Sequence, residues 1–299
     1  MNRDHLWGVL QMIASSLMFS LMALTVRWAS EVKGLGPWIT AEFRFLICIA
    51  FVFGLCAWQR RPLRFVNRRW LVTRGVLGGA SALLFFYTIN HVGVAKATVL
   101  NYTYPIWAGL FLPLLLEDRV RTGLWVAVAV AFGGLYLVVV PASGLGAISG
   151  MDLVALSGGL ISGLAVLSIK KALETDSSRA ILFAQSFFGL LIVALPAQAG
   201  GYSIPTLGWA LLVAVGLSAA VGQLLMTHAY KQVGAIEGSL LSMVTPVLNV
   251  VLGLLVFREP VTTRALAGCV IVLLGCAYAA LPPHVPPALA KAQAGGRPT

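Results

Sequence analysis

The chain has 299 residues, of which 59% are hydrophobic and only 10% are charged, and its mean hydropathy is +0.90. Soluble domains carry roughly 25% charged residues, so this composition excludes a protein whose surface faces water and indicates a chain embedded in a lipid bilayer. The formal net charge of +11 lies mainly in connections between apolar segments, so we expect no nucleic acid as a partner.

The apolar residues form ten segments that follow one another along the chain. A helix needs about 20 mainly apolar residues to cross the hydrocarbon layer of a bilayer. The predicted spans are 7–29, 37–58, 70–90, 97–116, 123–140, 152–172, 180–199, 206–229, 236–257 and 264–282. They lack the short alternating pattern of β-barrel strands. The sequence therefore predicts an all-α, polytopic membrane protein with ten transmembrane helices.

The two ends of the chain differ in character. The first span, 7–29, is longer than the apolar part of a signal peptide and is not followed by a cleavage site of small residues, so we interpret it as a membrane helix. The last residues, 283–299, are rich in proline, glycine and alanine. This composition predicts a disordered cytoplasmic tail.

Basic residues are divided unevenly between the two sets of connections. One set, together with the terminal segments, carries Arg3, Arg60, Arg61, Arg64, Arg68, Arg69, Arg119, Arg121, Lys170, Lys171, Arg179, Lys231, Lys291 and Arg297. The other set carries only Lys33, Lys96, Arg258 and Arg264. Because Lys and Arg accumulate in cytoplasmic connections, we expect a multi-pass protein of the inner (plasma) membrane with both termini in the cytoplasm.

The sequence contains none of the motifs that carry several common enzymatic reactions. The four cysteines lie within spans and form no CxxC motif or Cys/His cluster, so we expect neither a metal site nor a disulfide. The motifs GxxxxGKS/T, HExxH and GxSxG are absent, which argues against direct ATP drive and against two common hydrolase classes. We therefore expect no enzymatic activity and no cofactor.

An internal repeat is the most specific feature of the sequence. The segment VGVAKATVLNYTYPIW from Val92 aligns without gaps with VGAIEGSLLSMVTPVL from Val233, and Pro105 aligns with Pro246. Each half then holds five spans, and since five is odd the second half begins on the opposite side of the membrane. Inverted repeats are typical of secondary transporters. We predict a first repeat at 1–145 and a second at 146–282.

Two proline-containing segments carry a resemblance to a known family. They are NYTYP (Asn101–Pro105) and SMVTP (Ser242–Pro246), each followed by a short span, an acidic turn and a glycine-containing last helix. In these features the chain resembles the drug/metabolite transporter (DMT) superfamily, in its ten-helix branch of two EamA-type repeats, over residues 7–282. The segment NYTYP is also similar to that of YddG-type aromatic amino-acid exporters.

The resemblance implies a secondary transporter that exports small metabolites, with amino acids, aromatic ones among them, as the favoured substrates. Small multidrug members of the superfamily use an acidic residue in the middle of the first helix. The first and sixth spans here contain none in their middles. This departure disfavours export of cationic drugs and favours neutral or zwitterionic substrates.

Polar residues within spans four and nine are the first candidates for a substrate cavity, because exposure to lipid would be costly. The repeat superposes the two sets, which are Thr98, Asn101, Tyr104 and Pro105 with neighbouring Tyr102, and Ser239, Ser242, Thr245 and Pro246. The alternative is that small hydroxyl groups join helices. The prolines predict kinks whose freed carbonyls line a cavity, or static bends that shape the bundle.

A second group of candidates lies in spans one, three, six and eight. Its members are Phe19, Tyr87, Ser162, Gln223 and His228. Tyr87 and His228 occupy equivalent positions in the repeats. Their alternative role is in the interfacial aromatic belt, and for Tyr230 we prefer the belt. Nearby small residues, Ser16, Ser20, Gly159 and Gly163, are expected to pack helices together. We interpret Glu42, Arg44 and Glu237 as anchors at the interface.

Two other functions stay open. An exchanger or importer of another metabolite class, such as a nucleotide or sugar phosphate, would need several basic side chains in the cavity, and only Arg27, Arg44 and Arg74 approach the membrane interior. Drug efflux is the second alternative. Since one chain supplies both halves, we expect that a monomer suffices.

Overall fold

The structure, a computed structural model, describes residues 3–31, 35–92, 94–118, 120–140, 143–144, 146, 149–199, 204–258 and 260–281. Every regular element in these ranges is an α-helix. The helices are α1 (Arg3–Glu31), α2 (Pro37–Trp58), α3 (Arg68–Val92), α4 (Val94–Asn101), α5 (Tyr104–Leu116), α6 (Thr122–Val139), α7 (Gly150–Leu173), α8 (Ser178–Ala199), α9 (Thr206–Ala229), α10 (Ala235–Leu241), α11 (Val244–Phe257) and α12 (Thr263–Ala280). The predicted all-α fold class is confirmed, while the predicted tail at 283–299 lies outside the described residues.

The helices correspond to the ten predicted spans. α4 and α5 together form the fourth span, and α10 and α11 form the ninth. Nine spans in the described ranges are long and apolar enough to cross a membrane. The remaining helix, α3, has 25 residues but carries Arg68, Arg69 and Arg74, which lower its hydropathy. It packs against α7 and α8, so part of its surface contacts protein instead of lipid.

The packing of the helices follows the repeat of the sequence. α1 packs against α9 as its counterpart α7 packs against α3, and α2 contacts α9 as α8 contacts α3. α6 packs against its own counterpart α12, and α2 against α8. These contacts are reproduced when each helix is exchanged for its counterpart, which defines a pseudo-two-fold axis. Because each half has five spans, the axis lies in the membrane plane and the repeats are inverted.

The backbone also repeats in detail where α5 and α11 end. Glu117 has a φ of 54° and Arg258 has a φ of 53°, so both are left-handed. That conformation costs a non-glycine residue roughly 1–2 kcal/mol. The two residues are 141 positions apart, which is the offset of the sequence repeat. The duplication therefore includes the strained turns before α6 and α12.

The last helices of the two repeats, α6 and α12, cross at glycines. A Cβ atom at Gly134 would lie 2.7 Å from the amide nitrogen of Val272 and 2.8 Å from the carbonyl oxygen of Gly268. A Cβ atom at Gly268 would meet the carbonyl oxygen of Gly134 at 2.6 Å. Small residues permit this close approach of two backbones in a membrane bundle. The crossing joins the two repeats on the side away from α2 and α8.

Two ends of the bundle must be distinguished for the site. We call the end with the connections 59–67, 174–177 and 230–234 the basic end, and the end with the connections after α1, α6 and α11 the opposite end. Assigning the basic end to the cytoplasm stays a prediction from charge. So does the repeat boundary at 145/146, because residue 145 lies outside the described ranges.

Candidate substrate site between the two repeats

The site begins with two helices that break within the bundle. The interruptions at 102–103 and 242–243 are followed by Pro105 and Pro246. Backbone N–H groups at the breaks bond three residues back instead of four, as Met243 does to Leu240 at 2.9 Å. Proline has no N–H to restore the helical ladder. The predicted kinks are therefore present at corresponding places in the two repeats, and these shorter backbone bonds bridge each break.

Small residues of α7 and α1 pack directly on these breaks. A Cβ atom at Gly159 would lie 2.6 Å from the Leu100 carbonyl oxygen, and one at Gly163 would lie 2.9 Å from that of Tyr104. In the other half the hydroxyl of Ser20 is shared between the carbonyl oxygens of Ser16 at 2.9 Å and Thr245 at 3.2 Å. The predicted packing role of these small residues is confirmed.

Side chains from both breaks meet in a cluster of tyrosines and hydroxyl groups. The hydroxyl of Tyr104 donates to the Ser239 carbonyl at 3.0 Å. The Tyr230 hydroxyl lies 3.4 Å from the Ser239 hydroxyl. Tyr102 lies within hydrogen-bonding reach of Thr245, and its ring centre is 5.9 Å from that of Tyr104. We call these five residues, with Ser242, the tyrosine cluster.

Two members of the cluster show how α10 covers it. Ser242 donates to the Met12 sulfur at 3.4 Å, which ties the break to α1. Tyr230 is only 1% exposed, and a Cβ atom at Gly238 of α10 would lie 2.5 Å from its ring. The belt position predicted for Tyr230 is therefore wrong. Its place near the end of a span suggested the interface, but α10 folds back over the ring.

The other predicted residues of spans four and nine lie around the breaks. The Thr98 carbonyl accepts from the Tyr102 amide at 2.9 Å. Asn101 is half-buried beside α7, where a Cβ atom at Gly158 would lie 3.6 Å from its amide nitrogen. Pro105 and Pro246 are buried. The structure therefore brings the residues of these two spans to the contact between the repeats, as their shared periodicity indicated.

Only some residues of the second predicted group lie near the contact between the repeats. Phe19 and Ser162 are half-buried on α1 and α7, and a Cβ atom at Gly222 would lie 3.4 Å from the Phe19 ring. Gln223 of α9 is 5% exposed, and within the described ranges its Nε2 has no hydrogen-bond partner. This places Phe19 and Gln223 on the α1–α9 contact.

Tyr87 and His228 do not form one cluster. Tyr87 of α3 is 39% exposed near the opposite end of the bundle, and its ring centre lies 4.3 Å from that of His91, with the two rings tilted by 38°. His228 is half-buried at the basic end of α9. The inversion of the repeats takes equivalent residues to opposite faces of the membrane. One substrate position therefore cannot contact both, and their roles stay predictions.

Two arginines lie deeper in the bundle than the sequence suggested. Arg74 of α3 is 4% exposed and donates from Nη2 to Gln185 Oε1 at 2.6 Å. Arg44 of α2 is half-buried, and within the described part of the chain the Nε atoms of both arginines lack partners. A charge in a membrane interior costs about 2.5–3.5 kcal/mol on insertion scales.

From the sequence alone Arg44 is expected at the interface, because its distance from the end of α2 is the only information. Its position in the bundle depends on which helices pack around α2, and these are α8 and α9. Gln185 and Gln223 of those helices were the available signal, since glutamine is rare in apolar spans and marks a polar interior.

The basic end is closed beneath the tyrosine cluster. Lys170 of α7 donates from Nζ to the carbonyl oxygens of Tyr230 at 2.7 Å and Val233 at 3.0 Å. Glu237 of α10 pairs with Arg121 at 2.6 Å and accepts from the Gly234 amide at 2.9 Å. Glu237 is thus a cap and an ion-pair partner that holds α10 in place, which corrects its predicted role as an interface anchor.

A cavity of about 370 Å³ lies elsewhere, at the opposite end between α6, α11 and α12. Its lining includes Val138, Val250, Pro260 and Arg264, and no predicted site residue. It is therefore distinct from the tyrosine cluster. No group of His, Cys, Asp or Glu side chains in the described ranges is arranged to hold a metal ion.

Comparisons with known proteins agree with this architecture. The chain is 27% identical over 275 residues to the pseudopaline exporter CntI of Pseudomonas aeruginosa (strain UCBPP-PA14), covering 90% of this chain and 94% of that protein. It is 22% identical over 279 residues to a riboflavin transporter of Brucella anthropi, covering 89% of this chain and 96% of the relative. A solved crystal structure superposes with a TM-score of 0.76 at 18% identity, over 96% of this chain and 98% of the other, which supports the fold alone.

The family assignment rests on two matches within the chain. The model of the EamA-like transporter family matches residues 6–140 and again 149–281. The protein is therefore a multi-pass membrane transporter of small molecules and not an enzyme, whereas the nearer resemblance to YddG-type exporters stays a prediction. With both repeats matched and transporters as relatives, the chain belongs to the EamA-like transporter family of the drug/metabolite transporter superfamily.

Proposed function

We propose that this chain exports small zwitterionic metabolites, with amino acids as the favoured class, across the inner membrane by alternating access. The observation that carries the proposal is the hydrogen bond from Tyr104 of one repeat to Ser239 of the other, at 3.0 Å. Secondary transporters bind substrate near the midplane where broken helices of two inverted repeats meet. The tyrosine cluster lies where the broken helices of this bundle meet, which supports a substrate position there.

The chemistry of the cluster suits an amphipathic solute. The rings of Tyr102 and Tyr104, 5.9 Å apart, offer apolar faces, and the hydroxyl groups of Ser239 and Ser242 offer hydrogen bonds. Amino acids with apolar or aromatic side chains combine both requirements. Export as the direction is supported by the relative named as a pseudopaline exporter.

The contacts at the basic end support a state that is closed towards the cytoplasm. Lys170 holds the turn after α9, and Arg121 holds Glu237 of α10. If charge orients the protein as predicted, release of these contacts opens the site to cytoplasmic substrate. One chain contains both repeats, so a monomer is sufficient for the cycle.

Transport into liposomes tests the proposal. Purified protein is reconstituted, and uptake of labelled amino acids is measured for the wild type, Tyr104→Phe and Tyr278→Phe. Tyr104→Phe removes only the hydroxyl that donates to Ser239, so we expect reduced uptake. Tyr278 is 43% exposed on α12, and its variant is the control that keeps wild-type uptake. Absence of amino-acid transport under both directions of a pH gradient would contradict the proposal.

Import is the second candidate. A riboflavin transporter is among the relatives, at 22% identity over 279 residues. The same liposomes, with the labelled substrate placed first outside and then inside, distinguish export from import. Faster flux towards the side of the basic end would favour an importer.

A further inference from the structure

Within the described ranges, two arginines of the bundle, Arg44 and Arg74, form no ion pair with an acidic side chain. Arg44 and Arg74 come from adjacent helices, α2 and α3, and α8 packs against both helices. The two charges are close enough to repel each other. Within the described ranges Arg74 has a glutamine as its hydrogen-bond partner, and Arg44 has no acidic partner.

Other basic side chains in the same bundle show what a structural arrangement requires. Arg121 pairs with Glu237 at 2.6 Å, and Lys96 pairs with Asp152 at 2.7 Å. Those pairs lie near the two ends of the bundle, where water lowers the cost of a charge. The arginines of α2 and α3 lie deeper, where like charges repel more strongly. A structural role alone therefore does not account for them.

Each arginine has an unused donor within the described ranges. These donors are Nε of Arg44 and Nε of Arg74. Gln185 orients the Arg74 guanidinium by accepting from Nη2 at 2.6 Å, which leaves Nε for another partner. A set of donors with two positive charges is complementary to an anion, and the planar guanidinium group matches a carboxylate with two parallel bonds.

Arg74 interacts electrostatically with a member of the tyrosine cluster. Its charge acts on Tyr230, whose hydroxyl is 3.4 Å from the hydroxyl of Ser239. The lack of a side chain at Gly78 gives the Arg74 guanidinium its space, since a Cβ atom there would lie 2.7 Å from Nη1. A solute that extends from the cluster towards α3 would therefore bring an anionic group towards Arg74.

We propose that Arg44 and Arg74 bind the carboxylate of the transported metabolite, so that the substrates are carboxylates and not cations or neutral solutes. The proposal rests on the proposed function, because it assigns the substrate class of the same site. It also accounts for the lack of an acidic ion-pair partner for either arginine within the described ranges, because the substrate supplies the counter-charge.

Binding of benzoate and benzamide to the purified full-length protein tests the proposal. The two probes share a ring and differ in charge. Thermal unfolding midpoints are measured with each probe for the wild type, Arg44→Gln, Arg74→Gln and Arg27→Gln. Arg27 lies outside the site, with its guanidinium 4.0 Å over the Phe257 ring, and its variant is the matched control. We expect benzoate to raise the midpoint of the wild type and of Arg27→Gln only, and benzamide to raise none.

The unfolding midpoint without a probe is a second measurement. A binding role and a purely structural role of Arg44 predict opposite changes in this midpoint. Arg44→Gln removes an unpaired charge, so we expect its midpoint without probe to equal or exceed that of the wild type. A lower midpoint, or equal shifts with benzoate and benzamide, or no shift of the wild type with benzoate, would overturn the carboxylate site. If benzoate binds as expected but no amino acid is transported, the amino-acid proposal fails and the carboxylate site stands.

Discussion

The half-helices α4 and α10 occupy the same place in the two repeats, and their surroundings differ. All seven residues of α10 are buried, and it contacts α1, α5 and α6 of the first repeat and α7 and α12 of the second. In α4, Ala97 and Val99 are buried, while Thr98 and Leu100 are partly exposed. α4 packs against α3, α6 and α7.

Equivalent residues show the difference most clearly. Thr98 is partly exposed, whereas its counterpart Ser239 is 0% exposed. Two inverted repeats in identical surroundings would give a symmetric protein with both ends equally closed. The asymmetry therefore indicates a bundle that is closed at the basic end and less covered at the opposite end, as one state of an alternating cycle requires.

The largest effect is expected from fixing the closed end. A Cβ atom at Gly8 would lie 2.8 Å from the Gln232 Cβ, whereas the two Cβ atoms of a disulfide lie about 3.5–4.5 Å apart. A small backbone shift therefore suffices for Gly8→Cys with Gln232→Cys, in a background without the native cysteines, to form a disulfide across the basic end. If this end must open, transport stops when the disulfide forms and returns on reduction. Uptake into liposomes with and without reductant measures this.

The control joins helices that the cycle keeps together. A Cβ atom at Gly275 would lie 2.8 Å from the Ala131 Cβ, across the α6–α12 contact. Ala131→Cys with Gly275→Cys should therefore form a disulfide and retain most transport. Undiminished transport by the oxidised Gly8/Gln232 pair would show that the basic end does not open.

A smaller effect is expected where α7 packs on the first break. Gly159→Ala places a Cβ 2.6 Å from the Leu100 carbonyl oxygen and 2.5 Å from the Thr103 hydroxyl. Overpacking of this kind costs about 1–3 kcal/mol, and we expect a lower unfolding midpoint together with slower transport. The adjacent Gly158→Ala meets its nearest atom at 3.5 Å, an ordinary contact, and serves as the control. Equal midpoints for the two variants would refute the close contact.

The smallest effect concerns the corresponding contact in the second repeat. Ser20→Ala removes the donor to the Thr245 carbonyl at 3.2 Å and leaves that buried oxygen without this bond. The loss of a typical hydrogen bond amounts to about 0.5–1.5 kcal/mol, so the unfolding midpoint should fall less than in Gly159→Ala. The reverse order would mean that the second break tolerates change less than the first.

Much of this architecture follows from local sequence patterns. The apolar spans, Pro105 and Pro246, and the matched polar positions of spans four and nine predicted the breaks and their meeting. Periodicity indicates which face of a helix is polar. It therefore identified Tyr104 and Ser239 as candidates but did not predict that they contact each other.

The features that the sequence does not predict depend on contacts between residues that are far apart in the chain. Tyr230 is buried because α10 returns over it, and Arg44 and Arg74 are neighbours because α2 and α3 share the surface of α8. No local pattern contains those contacts. The asymmetry between α4 and α10 is likewise a property of one conformational state. Because one sequence encodes more than one such state, the sequence alone does not predict the asymmetry.

The central claim, that the contact between the repeats is less covered towards the opposite end than at the basic end, is tested most directly by thiol labelling. Thr98→Cys and Ser239→Cys, each in a background without the native cysteines, are exposed in intact cells to a membrane-impermeant maleimide. The account predicts that the thiol at position 98 reacts several-fold faster than the thiol at 239. Equal rates, or faster reaction at 239, would contradict it.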